Sequence, residues 1–409
     1  MNRRRAARIL VLVVALWLDR SARADDLSNA QEIDAFLDRA VAETHIPGLV
    51  ALVVDREGIL YRRAVGRRSA SGNVAMSADT IFNIASMTKP IAAAAIMMLV
   101  EEGKLGLDDP ISRYVPELAG KPVLDTFDFD DASFTTRPAA GEITIRQLLS
   151  HSSGLVYPFA SDELARWSAA NPGVDPIEAF PLLFDPGTGW AYAGGIAVVA
   201  RVLEQTEGTT LDAFLQERIF DPLEMSDTGY SVPDAKRARV AAVFRMTDEG
   251  LIESPVPAVV RSDVSGDGGL FSTAEDYARF IQLILRSGLA PDGTPLLQPE
   301  SVRILGQNQL GDVRVSLQDE PTPLLARAFP LGAGRDGFGL GFQVTGEHAD
   351  SYQRRPGSLS WAGIFNTQFW IDPASGIGAV LLMQYLPFYD EAAIATLVGF
   401  EELVYRGLR

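Results

Sequence analysis

The sequence predicts a mixed α/β fold of the α+β kind: an antiparallel sheet built from N- and C-terminal segments, flanked by helices, with a mainly helical lobe inserted. Two observations predict it. Strand-like apolar runs bounded by turn residues lie near both ends, at Leu49–Val54, Ile59–Val65, Thr367–Ile371 and Ile377–Met383. From about Leu105 to Arg286 the apolar residues instead recur at helical spacing, broken by Pro- and Gly-rich connections. One sheet closed from both termini accounts for that order economically, with a sheet lobe at about 25–104 and 287–409 and a helical lobe at about 105–286. A cleft is expected where the two lobes meet.

In chain order, residues 1–24 read as a leader. Arg3, Arg4, Arg5 and Arg8 precede an apolar run from Ile9 to Leu18, and Ala22-Arg23-Ala24 places small residues at a cleavage site. That is the grammar of a secretory signal peptide, cut after Ala24, and the run is too short to span a bilayer. The expected product is periplasmic or secreted, with no membrane span once the signal is cut. Asn29–Thr44 carries a helical stripe at Ile33, Phe36, Leu37 and Val41, and Pro47-Gly48 stops it before the first strand. Thr80–Ala85 reads as a strand-like run leading into a long apolar helix that ends near Glu102. Helices are expected at Thr144–Leu149, Gly195–Glu207, Leu211–Ile219 and Ala274–Arg286, the last capped by Ser272-Thr273 with Glu275 in its first turn. Phe338–Val344 alternates as a strand, Asp372–Gly376 makes a turn, and Ala392–Tyr405 closes the chain as a helix.

Composition excludes much of the chemistry open to a chain of 409 residues. There is no cysteine, so disulfides, thiolate metal sites and a cysteine nucleophile are excluded together. The three histidines, His45, His151 and His348, are scattered, which argues against a histidine-built metal site. A net charge of -17 argues against nucleic acid as a partner, because phosphate backbones require an excess of Lys and Arg. Gly332-Ala333-Gly334-Arg335-Asp336-Gly337 spells a dinucleotide fingerprint, but Pro330 precedes it and an alternating segment follows, where the mechanism needs a strand and then a helix. It reads as a loop. The acidic cluster Asp125, Asp128, Asp130 and Asp131 lacks calcium-loop spacing and reads as solvated surface. No cofactor is implied.

Lysine is scarce, which makes Lys89 conspicuous in Ser86-Met87-Thr88-Lys89. Ser86 follows the strand-like run and opens the apolar helix. At i and i+3 the hydroxyl and amine face one side, so they can meet. The helix N-terminus adds positive potential suited to an alkoxide and then an oxyanion, and a lysine on an apolar helix is a usable base.

With these residues in place, the chain resembles the serine β-lactamase-like hydrolases, which include class C β-lactamases, penicillin-binding DD-peptidases and family VIII carboxylesterases. The resemblance runs through Ile143–Leu155, Pro186–Tyr192, Ile219–Thr228 and Gly268–Asp276, in the family's order. It implies the β-lactamase/transpeptidase-like fold, Ser86 as acylated nucleophile, Lys89 as its proton partner and Tyr192 as second base. His151 falls in a family segment where it is structural. Two departures point away from lactams. Tyr192-Ala193-Gly194 lacks the family's asparagine, and Trp361-Ala362-Gly363 stands where lactamases carry Lys-Thr-Gly. The resemblance then makes Ile364 N–H, with that of Ser86, the oxyanion hole, Gly363 the point of close backbone approach and Trp361 an esterase-like substrate contact. The expected activity is hydrolysis of carboxylic esters, with a small-molecule ester as partner. A β-lactamase or D-Ala-D-Ala carboxypeptidase using the same site, and a non-catalytic cell-envelope binding protein, are the alternatives. The Pro- and Gly-rich segment Gln307–Asp336 is expected to wall the pocket.

Overall fold

The computed structural model describes residues 27–318, 324–347 and 353–408. The expected leader and His348 lie outside them. Eight strands build the main sheet: β1 (Gly48–Asp55), β2 (Ile59–Ser69), β3 (Val74–Ala75), β4 (Gly337–Phe338), β5 (Gln343–Val344), β6 (Leu359–Gly363), β7 (Thr367–Asp372) and β8 (Ile377–Leu382). Their order is β4-β5-β6-β7-β8-β1-β2-β3, antiparallel throughout. The two ends of the chain meet at β1 and β8, where Val50 faces Leu382 and Val54 faces Gly378. Both faces of β1 are covered, so its sequence is a continuous apolar run instead of an alternating one.

The helices that matter here are α1 (Ala30–Glu43), α2 (Thr88–Glu101), α3 (Ile145–Leu149), α4 (Gly195–Glu207), α5 (Ala274–Leu285) and α6 (Glu391–Gly407). One sheet face buries Leu49, Ala51, Val53, Trp370 and Leu381 under α1 and α6. The other buries Val50, Leu52, Phe369, Ile371 and Val380 under α2, α5 and the rest of the helical lobe. α2 is apolar all round and buried from Thr88 to Leu99, which suits a helix packed between a sheet and other helices. Among the described residues no helix is long and apolar enough to cross a membrane.

Local signals set most boundaries. α3 opens with a capping box in which the Thr144 hydroxyl accepts from Gln147 N–H and the Gln147 side chain accepts from Thr144 N–H. α5 is capped by Thr273, whose hydroxyl accepts from Asp276 N–H. α5 packs against β1 and β8, so the sheet layer takes in the helix that sequence reading placed at the end of the lobe.

The other departures are local. Phe338–Val344 is not one strand but the hairpin β4–β5: Gly339 N–H donates back to the Phe342 carbonyl, and Gly341 takes φ +79°, a left-handed turn that glycine adopts freely. The helix expected over Leu211–Ile219 runs Leu211–Leu215 and continues as a π turn, Gln216–Phe220, which buries Ile219 and Phe220 side by side. The acidic cluster sits on an exposed hairpin, Val123–Phe127 with Phe134–Arg137, that its composition did not announce. Gly332–Asp336 is a run of turns, as its context implied.

Candidate active site

Ser86 sits where three segments converge. Ile84 N–H donates to the Leu270 carbonyl, and the Asn83 side chain accepts from Ala85 N–H. Ala85 is held at φ +45°, a left-handed conformation that costs a non-glycine residue on the order of 1–2 kcal/mol and persists only where the surroundings enforce it. A single 3-10 turn, Ala85–Met87, then leads into α2. Tyr277 OH donates to the Met87 carbonyl at 3.0 Å, and the Thr88 hydroxyl accepts from Leu270 N–H. The hydroxyl of Ser86 is thereby fixed at the positive end of a buried helix.

Lys89 is 1% exposed, and its Nζ has three oxygen partners: Ser86 Oγ at 3.3 Å, Tyr157 OH at 3.2 Å and the Asp267 carbonyl at 2.6 Å. Its Nζ also lies 4.8 Å from the centre of the Tyr192 ring. Tyr192 is held by its backbone: its carbonyl accepts from Tyr157 N–H, and its N–H donates to Gln318 Oε1. The Tyr192 hydroxyl accepts from Trp361 Nε1 at 3.4 Å. The tyrosine hydroxyl that Lys89 bonds is therefore that of Tyr157, while Tyr192 turns its hydroxyl to the β6 side.

Trp361 lies on an open stretch of β6. β5 pairs only with Leu359 and Ser360, so Trp361, Ala362 and Gly363 present a free strand edge to the cavity. The Trp361 ring packs 5.0 Å from Tyr192 and 5.2 Å from Phe338, centre to centre. Gly363 is required where it stands, because a Cβ there would collide with the Ile84 carbonyl and Thr367 Oγ1. The Thr367 hydroxyl donates to that same carbonyl, tying β7 to the loop before Ser86. The structure thus brings Ser86, Lys89, Tyr192, Trp361, Gly363 and Ile364 together at one place. Ser86, Tyr192, Trp361 and Ile364 line a single cavity of about 210 Å³, walled also by Phe159, Phe329 and Phe388. Ala326, Phe329, Pro330 and Leu331 come from the segment expected to wall it.

Sequence reading missed two residues. Tyr157 OH donates to the Asp267 carboxylate, and Ser265 Oγ donates to its other oxygen at 2.6 Å. Burial pushes the Asp267 carboxyl up, but the Lys89 ammonium and the hydrogen bonds from Ser265 and Tyr157 outweigh it and hold it below the usual carboxylate range. Burial, then the nearby Asp267 and Tyr192, hold the Tyr157 hydroxyl well above the ordinary tyrosine value, so it stays protonated and keeps donating. The missing asparagine falls at this place. A side chain at Gly194 would meet Asp267 Oδ2 and the Tyr157 ring, each at 3.3 Å from its Cβ. Tyr157 lies two residues past the recognised Ile143–Leu155 segment, and Asp267 directly precedes Gly268-Gly269; that adjacency was the available signal.

His151 is buried among Trp190, Tyr192, Phe338 and Trp361, and neither ring nitrogen has a hydrogen-bond partner. Burial first, and then Lys89, hold its pKa well below the usual histidine value. It is a neutral packing residue. Among the described residues no group of three or more His, Asp or Glu side chains is placed to hold a metal ion.

A serine at a helix N-terminus, a buried lysine bonded to it and an open strand edge across the cavity define a serine hydrolase of the β-lactamase fold. Comparison with known proteins agrees: the chain belongs to the beta-lactamase family, whose model matches residues 33–401. Lovastatin esterase of Penicillium rubens is 34% identical over 378 residues, covering 85% of this chain and 92% of its own. Monacolin J acid methylbutanoyltransferase of Aspergillus terreus is 30% identical over 391 residues, covering 90% and 93%. Among solved structures, a simvastatin synthase mutant from Aspergillus terreus superposes with a TM-score of 0.79 at 28% identity, covering 92% of this chain and 97% of that one.

Proposed function

We propose that this serine hydrolase cleaves carboxylic esters through an acyl-enzyme on Ser86. The observation that carries the reading is the buried Lys89 Nζ bonded to Ser86 Oγ at the floor of an aromatic cavity. The step requires the neutral amine: with substrate bound, Ser86 Oγ attacks the ester carbonyl as its proton passes to the lone pair of Lys89 Nζ. The tetrahedral oxyanion is held by the N–H groups of Ser86 and Ile364, the electrostatic element that most lowers such barriers. Collapse breaks the bond to the leaving oxygen, which takes a proton from Tyr192 OH; the proton on Lys89 then reaches Tyr192 indirectly, because Lys89 Nζ bonds Tyr157 OH and not Tyr192 OH. Water then attacks the acyl carbon, its proton passes through Tyr192, and the acid leaves as Ser86 recovers its hydrogen. Tyr157 and Asp267 position Lys89.

Esters fit better than lactams or D-Ala-D-Ala peptides. Trp361 and Ala362 offer no cation to a substrate carboxylate, and the guanidinium that lines the cavity, Arg354, is paired with Glu401 at 2.7 Å. Ser86→Ala should abolish turnover of p-nitrophenyl butyrate and labelling by a fluorophosphonate; wild-type rates in that variant overturn the mechanism. A panel of short acyl esters, nitrocefin and a D-Ala-D-Ala peptide should give turnover on the esters foremost.

Acyl transfer to an alcohol is the second reading, favoured by the similarity to a methylbutanoyltransferase and by the aromatic walls, which shelter an acyl-enzyme from water. Adding an alcohol during hydrolysis and measuring the new ester against free acid separates the two. We propose export as well, on the pattern of residues 1–24; a mature N-terminus at Asp25 in the periplasm or medium is the expected result.

A further inference from the structure

The cavity does not stop at Trp361. It passes the open edge of β6 to the sheet face under α6, where Ala362 and its cross-strand partner Gln368 on β7 line it together with Leu397. Thr367 and Phe369, the neighbours of Gln368, face the α2 side, so the alternation of β7 turns the Gln368 side chain to the α6 side. Gln368 is 3% exposed, and its Nε2 has no hydrogen-bond partner. Several buried polar atoms among the described residues are also unpartnered, but Gln368 is the one of those residues that lines this cavity, its Nε2 lying just beneath the wall. A buried amide N–H without an acceptor is costly and is rare enough to need a reason. The walls around it do not supply one. The Gln343 amide is committed to the Leu331 carbonyl and the Asp336 carboxylate, and Arg354 is paired with Glu401.

We propose that Gln368 is a specificity-determining subsite that takes a hydrogen-bond acceptor on the ester itself, a carbonyl, hydroxyl or ether oxygen set several bonds from the scissile carbonyl. The preferred substrate is then an oxygen-bearing ester, not a plain fatty acyl ester. This rests on the ester-hydrolase reading above. The apolar stretch between Ser86 and Gln368 accommodates the intervening methylenes, and the acceptor fills the one unmet polar position at the far end. The acceptor can arrive on the acyl chain or on the alcohol, and the experiment separates these.

The test is an oxygen walk. In the acyl arm, p-nitrophenyl heptanoate is compared with the same ester carrying an ether oxygen in place of the γ, δ or ε methylene. In the alcohol arm, hexyl acetate is compared with its ether isosteres. Wild type should favour one isostere over its parent by about tenfold in kcat/KM, as expected for one buried hydrogen bond. In Gln368→Leu that ratio should fall to about one, and in Gln368→Glu, which presents acceptors only, it should drop below one. Ratios at or below one for every isostere in both arms of wild type overturn the proposal. So does a ratio that survives in folded Gln368→Leu. If both variants fail to fold, the wild-type walk decides alone. The underlying reading is tested separately, because Ser86→Ala should remove turnover of the parent esters whatever the ratios.

Discussion

On the α2 side of the cavity, Lys89 Nζ has an oxygen partner for each of its three possible donors, and two of the residues involved, Tyr157 and Asp267, are bonded to one another. On the β6 side the lining is aromatic and apolar, the strand edge is open, and Gln368 has an amide with nothing to bond. The first side is closed to alternatives: Lys89, Tyr157 and Asp267 are each bonded to a neighbour, so the geometry around Lys89 is fixed before substrate arrives. The second side is unfinished until substrate completes it. Reaction type belongs to one side and substrate choice to the other.

Substitutions on the two sides should therefore separate in kcat and KM. The largest effect is expected for Lys89→Ala, which removes the proposed proton acceptor from Ser86 and should lower kcat by about a thousandfold, as general-base removals do, in a steady-state ester assay. Asp267→Asn leaves the backbone carbonyl that Lys89 bonds but removes the charge facing it and weakens the grip on Tyr157. It should lower kcat by roughly tenfold to a hundredfold with little change in KM, the split that marks positioning over binding. On the other side, Trp361→Ala should act mainly on KM for esters with bulky groups, by about tenfold, and leave acetate esters least affected. A kcat loss on Trp361→Ala as large as on Asp267→Asn would erase the division.

The smallest effect concerns stability. His151 has a folded pKa held well below its unfolded value near 6.5, so it folds neutral while the unfolded chain takes up a proton as pH falls. Its contribution is intact above pH ~6.5 and declines below it, at up to about 1.4 kcal/mol per pH unit. His151→Phe keeps the aromatic packing and should flatten the fall of Tm between about pH 6.5 and 5, relative to wild type. An unchanged slope would show that the acid loss comes from other groups.

Much of the architecture was legible in the residues. β1 and β8 announced themselves as continuous apolar runs, α5 through its capping hydroxyl, and α2 through an apolar segment behind a serine. What escaped depended on tertiary contact. β4 and β5 are too short to carry a period, and only Gly341 at φ +79° separates them from a single alternating strand. The site divided in the same way. Ser86 and Lys89 are three residues apart on one helix, so local spacing reveals them. Tyr157 and Asp267 meet across 110 positions of chain, and only their adjacency to the recognised segments hinted at either. Gln368 was invisible for a different reason: its significance is a bond it does not make.

The pairing of β1 with β8 has a consequence in time. A strand near the start of the chain is completed by one near its end, with Val50 opposite Leu382, so the sheet cannot close until nearly all of the polypeptide is present. Contacts so distant in sequence are slow to form. Ser86, Lys89 and Tyr192 all precede the strands that bring Ile364 beside them. A partly made or truncated chain therefore carries Ser86 without Ile364, the second of the two N–H groups proposed to hold the oxyanion, and without the cavity wall that the later residues build. On the proposed mechanism, the ability to acylate itself is among the last properties the molecule acquires.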